Sequence, residues 1–155
     1  MKSKQALLDQ TDWHILRELQ QDARLSWTEL GRRVGLSSPA AQERVRKLED
    51  AGVIEGYRAV LNLPQVGLPI MAFVRVGNLP TLDEQRLEKL VCDMDEVLEC
   101  HHITGEDCFI VKIGALSIPH LESVIARFSD FTHTTTGIVL SSPIQNRIIT
   151  DFDGL

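Results

Sequence analysis

The stretch Trp27–Leu48, WTELGRRVGLSSPAAQERVRKL, decides how the chain is read, because it holds two helix-forming runs separated by one glycine-bearing turn. Ser26 stands where an N-cap would, with Glu29 three residues on, the reciprocal pattern that satisfies orphan amides at a helix start. A first helix is therefore expected from Trp27 to Val34. Gly35 follows where a left-handed residue closes a helix, and Leu36 can fold back over the last turn. Ser37 or Ser38 then caps a second helix, with Pro39 in its first turn, where the missing N–H is not needed. Ala41, Val45 and Leu48 fall on one stripe of that helix and face a core. About half a turn round lie Pro39, Glu43 and Arg46, flanked by Gln42 and Lys47, polar and able to reach the edges of bases.

Such a pair is either an ordinary helical hairpin with a solvated outer face or a DNA-binding helix-turn-helix, and charge separates the two. Between Arg24 and Lys47 the sequence carries six basic residues (Arg24, Arg32, Arg33, Arg44, Arg46, Lys47) against two acids (Glu29, Glu43), in a chain of net charge −6. A basic island in an acidic protein is what phosphate binding requires. The candidate DNA contacts are Arg32, Ser38, Pro39, Gln42, Glu43, Arg44, Arg46 and Lys47, with Arg46 placed to read a guanine and Lys47 or Arg44 a phosphate.

Upstream, Leu8, Ile15, Leu16 and Leu19 recur at helical intervals with Thr11 or Asp12 as a cap, so a third helix is expected from about Asp12 to Gln21. Trp13 and Trp27 are candidates for the shared core. Downstream, the second helix ends at Ala51-Gly52, and Val53–Leu61 reads as a bent strand, which would make the motif winged. Asn62–Pro69 holds two prolines and a glycine, too broken for a helix. The expected division is a DNA-binding domain over residues 1–61, a linker over 62–69 and a second domain over 70–155.

That second part alternates strand and helix patterns. Ile70–Val76 is strand-like, Leu87, Leu90, Val91 and Met94 form a helical stripe, and Val97–Thr104 returns to strand. Cys108–Gly114 is a strand, Leu121, Val124, Ile125 and Phe128 form a second stripe capped by Ser117, and Thr132–Ser141 closes as a strand. The order β-α-β-β-α-β, with a tight link at Gly105–Asp107, predicts a ferredoxin-like antiparallel sheet with both helices on one face, so the fold class is α+β. Met71, Phe73, Ile138 and Leu140 are candidates for the uncovered face, which an apolar sheet normally buries against another copy. A homodimer at least is expected.

Composition bounds the alternatives. With 43% apolar and 25% charged residues the chain has an ordinary soluble make-up. No apolar run approaches a membrane span and MKSKQALLDQ lacks the apolar core of a signal peptide, so a cytoplasmic protein is expected. Cys92, Cys100 and Cys108 form an odd set without paired-ligand spacing, which points to reduced thiols rather than a disulfide framework or a zinc site. His101 and His102 point to opposite sheet faces, and a three-residue hairpin would set Cys108 opposite Thr104, so no metal is expected there. No nucleophile–base pair, phosphate-cradling glycine loop or paired-carboxylate site stands out, so neither an enzyme nor a cofactor is expected. Charge is also divided, with ten basic and nine acidic residues up to Leu61 and six and thirteen after it, a split that marks two jobs.

The pieces together resemble the leucine-responsive/asparagine-synthase regulator family of transcription factors, the feast/famine regulators. Leu8-Asp9 with Asp12 and Ile15-Leu16, Asp22-Ala23-Arg24, Glu29-Leu30, Val34–Ser37, Arg44-Val45 with Leu48-Glu49, and Gly52–Ile54 with Gly56-Tyr57 are similar to the family's DNA-binding half. Ala72–Val74, Thr104–Glu106, Lys112 and Thr134–Thr136 with Ile138–Leu140 are similar to its effector domain. The resemblance implies a dimer built on the ferredoxin-like halves, often assembled into octamers. It also implies double-stranded DNA with a palindromic operator as partner, and a free amino acid or similar metabolite bound between dimers. Carried over by position, His102, Thr104, Gly105, Glu106, Asp107, Cys108, Ile118, Thr134, Thr136, Gly137 and Ile138 would lie in or beside that site. Many members have an acid where Cys108 stands, so Asp107 is the first candidate for an effector ammonium and Glu106 the second. Read without the resemblance, Gly105 is a turn glycine and the three threonines are good strand formers.

Overall fold

The computed structural model describes residues 8–77, 84–128 and 133–151. The expected start of the last strand at Thr132, and residues 1–7 of the N-terminal MKSKQALLDQ, lie outside the described residues. The chain forms two compact units: one holds the chain up to Ala59 together with the chain from Ile144 onward, and the other holds Val60–Pro143.

The first unit is built on α1 (Gln10–Gln21), α2 (Trp27–Val34) and α3 (Ser38–Asp50). Its caps follow the local chemistry. Asp9, rather than Thr11 or Asp12, caps α1: its side chain accepts from the Asp12 N–H at 2.8 Å, while the Asp12 carboxylate accepts from the Asp9 N–H at 3.1 Å. Ser26 caps α2 through the Glu29 N–H, but the Glu29 side chain turns to arginines instead of completing the box. Gly35 ends α2 at φ +72°, the left-handed region a Cβ disfavours, and Ser37 caps α3 with Pro39 in its first turn. Ile15, Leu30, Ala41, Val45 and Leu48 form the buried core, with Leu8, Leu16, Leu19, Leu25, Val34, Leu36, Val53 and Ile54 packed around it. Neither tryptophan belongs to that buried set: Trp13 is half-buried and Trp27, at the solvent end of α2, is 40% exposed.

No wing forms. Val53–Leu61 contains no strand, because the Val53 and Ile54 N–H groups are spent on the Leu48 carbonyl at the end of α3, and the following residues are exposed without a ladder partner. The chain from Ile144, expected with the second domain, returns to the first unit instead. There the Gln20 side-chain amide brackets Ile149, donating to its carbonyl at 2.9 Å and accepting from its N–H at 2.8 Å.

The second unit contains a short 3-10 turn (Leu63–Val66), then β1 (Ile70–Gly77), α4 (Glu84–Cys92), β2 (Val97–His102), β3 (Asp107–Ala115), α5 (Ile118–Ala126) and β4 (Thr134–Ile138). The sheet order is β2-β3-β1-β4 with every neighbour antiparallel, the ferredoxin-like arrangement. One sheet face packs Ala72, Val74, Val76, Phe109, Val111 and Ile113 against Leu87 and Val91 of α4 and Leu121 and Val124 of α5. Period-two alternation puts Met71, Phe73 and Arg75 of β1, with Ile110 and Lys112 of β3, on the other face. Ile138 does not join them: it pairs with Ala72 and so falls on the helix side, while Leu140 lies beyond the strand end. The β2–β3 link is one residue longer than expected, since the Ile103 N–H reaches the Cys108 carbonyl at 2.8 Å and sets Cys108 opposite Ile103 rather than Thr104.

Candidate nucleic-acid interface and effector surface

The polar face of α3 is held out of the first unit by the buried stripe on its other side. Ala41 and Val45 are fully buried and Leu48 nearly so, whereas Pro39, Gln42, Glu43, Arg46 and Lys47 are exposed and Ser38 is half-buried. A rigid helix with an outward polar face is the element that enters a major groove.

The electrostatics of this face differ from the sequence count. Arg46 forks onto Glu43 (Nε to Oε2 3.1 Å, Nη2 to Oε1 2.9 Å) and sends Nη1 to Asp50 at 3.0 Å. Lys47 Nζ lies 3.7 Å from the same Glu43 Oε1. The Arg46 hydrogen bond holds the Glu43 carboxyl below the usual carboxylate range. On α2, Glu29 takes a fork from Arg32 and a further bond from Arg33, which pull its pKa down to about 2, and Arg33 also reaches Glu18 at 3.0 Å. Four carboxylates from outside the Arg24–Lys47 window, Asp9, Asp12, Glu18 and Asp50, therefore fold onto the basic island and balance it. Contact across three or four residues on one helix was open to sequence reasoning; contact between helices was not.

Arg44 is the clearest case. Its Nη1 donates to Asp9 and, at 2.9 Å, to Asp12, so it ties α3 to the cap of α1 and its guanidinium is occupied away from the exposed row Pro39, Gln42, Glu43, Arg46 and Lys47. Arg32, Glu43, Arg46 and Lys47 remain on exposed surface, each ion-paired within the protein.

Gly31 was missed by periodicity. It sits inside α2, where glycine is normally unfavourable, because the turn crosses directly over it: a Cβ there would meet the Leu36 carbonyl oxygen at 2.6 Å. An isolated glycine within a helical pattern is the signal that could have found it.

In the second unit the expected effector residues do not converge within one chain. His102 ends β2, stacked on Phe109 with centroids 4.7 Å apart. Thr104, Gly105 and Glu106 form the exposed turn, with Gly105 at φ +133°. Asp107 opens β3 half-buried and faces Arg75 Nη1 at 3.6 Å. Cys108 is buried, and its Sγ lies 3.4 Å from the Val76 carbonyl oxygen and 3.6 Å from that of Gly77. Thr134, Thr136 and Ile138 lie on the helix side of β4 and Gly137 on the open side. Because β2 and β4 are opposite edges, His102 and Thr136 are separated by two strands. Ile118, 46% exposed, begins α5 after β3 has run to the end of the sheet away from the turn.

Comparison with known proteins places both halves. Residues 8–49 match the AsnC-type helix-turn-helix domain and residues 71–149 the Lrp/AsnC ligand binding domain. The chain is 35% identical over 134 residues to the HTH-type transcriptional regulator LrpC of Bacillus subtilis, covering 86% of this chain and 92% of that protein. The solved structure of B. subtilis LrpC superposes with a TM-score of 0.83 at 34% identity, covering 90% of this chain and 99% of the other. The leucine-responsive regulatory protein of Escherichia coli is 40% identical over 150 residues, 92% of this chain and 91% of that protein. A transcriptional regulator from Neisseria meningitidis, solved in complex with L-Met, superposes with a TM-score of 0.85 at 29% identity, covering 92% and 96%.

Proposed function

The chain belongs to the Lrp/AsnC family of transcriptional regulators, and from that premise we propose that it binds operator DNA through α3 and responds to an amino acid or related metabolite held by its ferredoxin-like unit, controlling genes of amino-acid metabolism or transport. The observation that carries the first part is the outward row Pro39, Gln42, Glu43, Arg46 and Lys47 opposite a fully buried stripe. Arg46 reads a guanine edge and Lys47 neutralises a phosphate once each leaves its carboxylate. Binding to operator over a salt series tests this: the slope drops by about one unit in Lys47→Ala, and affinity falls roughly tenfold or more in Arg46→Ala. Wild-type affinity in that variant removes Arg46 from the interface.

Assembly follows from the second unit. Among the described residues no helix of its own unit covers the open sheet face that carries Met71, Phe73 and Ile110, and a second copy of the chain is its occupant. Two copies then present two α3 helices to successive major grooves about 34–36 Å apart. Supporting an effector site between copies is the spread of His102, Asp107, Ile118 and Thr136 over opposite edges and ends of one sheet. A pocket drawing on all of them needs more than one protomer. Asp107 is the proposed partner of the effector ammonium, in exchange for Arg75. A thermal-shift screen of the amino acids on wild type and Asp107→Ala tests the assignment: a ligand at a hundred times its Kd adds about 2.7 kcal/mol of stability. Equal binding by Asp107→Ala would give the ammonium to another group.

A further inference from the structure

The feature of α3 that DNA binding alone does not use is the carboxylate in the middle of its reading face. Glu43 occupies the position from which one side chain reaches both Arg46, three residues on, and Lys47, four residues on, and it engages both. The helix as a whole is balanced, with Arg44, Arg46 and Lys47 against Glu43, Glu49 and Asp50. Of the three acids, Glu49 turns to the Tyr57 hydroxyl, which donates to it at 3.0 Å, and Asp50 sits at the last residue of the helix. Glu43 alone lies within the row that approaches the groove. An anion there opposes any contact with the phosphate backbone, because both cations must leave it before they neutralise phosphates, and the bare carboxylate then faces a polyanion.

We infer that Glu43 is the residue that makes this protein selective, by holding Arg46 and Lys47 back from DNA of arbitrary sequence and releasing them only where its own oxygens meet a base donor. In the major groove the donor that fits a carboxylate is the exocyclic amine of cytosine. At such a site the carboxylate exchanges a guanidinium and an ammonium partner for an amine hydrogen bond, and Arg46, once it also leaves Asp50, reaches a base edge. Elsewhere it stays unpaired against phosphate or keeps its cations. The inference rests on the reading of α3 as the DNA-contacting helix.

The test uses the full chain with Glu43→Gln, which keeps the shape and removes the charge, and with Glu49→Gln as the control acid on the same helix. Binding to one duplex of arbitrary sequence is measured by fluorescence anisotropy from about 50 to 200 mM salt, and each protein is also put through selection from a random duplex library. Glu43→Gln binds the arbitrary duplex up to about fivefold more tightly at low salt, the equivalent of one exposed ion pair. Its salt slope steepens by about 0.9, one additional phosphate neutralised, and a cytosine position enriched by wild type is lost from its selected motif. Glu49→Gln behaves as wild type. Unchanged affinity for the arbitrary duplex in Glu43→Gln, or an unchanged selected motif, overturns the inference while leaving α3 as the reader. The same gain in Glu49→Gln overturns it in favour of bulk charge. Wild type and both variants, folded yet retaining no duplex, overturn the reading of α3 and the inference together.

Discussion

Alanine at Gly31 reverses the sign that helix propensity alone assigns. In an unconstrained helix interior, glycine to alanine stabilises by about 0.5–1 kcal/mol. Here the new Cβ would stand 2.6 Å from the Leu36 carbonyl oxygen, with the Ser37 carbonyl carbon and oxygen at 3.2 and 3.3 Å. Restoring ordinary contact requires the turn to retreat by about 0.8 Å or more. It is not free to do so, because the Leu36 N–H is bonded to the Gly31 carbonyl at 2.8 Å and Ser37 is the cap of α3. Overpacking of this kind costs about 1–3 kcal/mol. Subtracting the propensity gain leaves a net loss of up to about 2.5 kcal/mol, a fall in Tm of up to roughly 20 °C for a domain of this size. Both tryptophans of the chain, Trp13 and Trp27, lie in the first unit. Thermal unfolding followed by tryptophan fluorescence therefore reports on that unit. A Gly31→Ala protein that melts at or above the wild-type temperature would show that the turn yields freely, and would refute the packing argument for glycine at this position.

Arg44→Leu removes the tie between α3 and the α1 cap. With Arg44 37% and Asp9 51% exposed, solvent screening limits the loss to about 1 kcal/mol, read as a lower Tm in the tryptophan transition with an unaltered DNA salt slope; a reduced slope at unchanged Tm would return Arg44 to the interface. Glu29 has a folded pKa of about 2 against 4.5 as its ordinary value, lowered first by the Arg32 hydrogen bond and then by that from Arg33. Because the folded value is depressed, its contribution is fully present above 4.5 and is lost as pH falls toward 2. Asp9 is shifted in the same direction by Arg44. Urea midpoints across that acid range should fall less in Glu29→Gln than in wild type, with the difference shrinking in high salt; parallel curves would remove Glu29 from the linkage. Phe73→Glu puts a charge on the open sheet face, where Phe73 is 38% exposed in the lone chain, and should drive the assembly toward monomer in light scattering, whereas an unchanged mass would place the subunit contact elsewhere.

What could be read from the residues and what could not divides along physical lines. The caps of α2, α3 and α5, the Gly35 closure, the buried stripe of α3 and the β-α-β-β-α-β order were legible because each rests on spacing along the chain, whereas the α1 cap fell at Asp9 rather than Thr11 or Asp12. The wing was misread because Val53 and Ile54 look like strand formers, while their amides are taken by the Leu48 carbonyl, a bond that propensity does not register. The basic island was legible as composition, but its neutralisation depends on Asp9, Asp12 and Glu18, which arrive from α1 and its cap. The return of the chain from Ile144 to the first unit is marked by the Gln20 bracket on Ile149, 129 residues apart. In the second unit a one-residue change in the hairpin moved Cys108 opposite Ile103, and strand pairing put Ile138 on the helix face. Register is a tertiary property, and a single-residue slip turns every side chain over.

The most direct measurement of the central claim is selection from a random duplex library by the full chain, followed by sequencing of the retained DNA and repeated with Arg46→Ala. The account predicts an enriched motif with two-fold symmetry and half-site centres roughly 10 base pairs apart, and loss of a guanine position in the variant. A folded, assembled protein that enriches no motif, or an Arg46→Ala protein that enriches the same one, would contradict it.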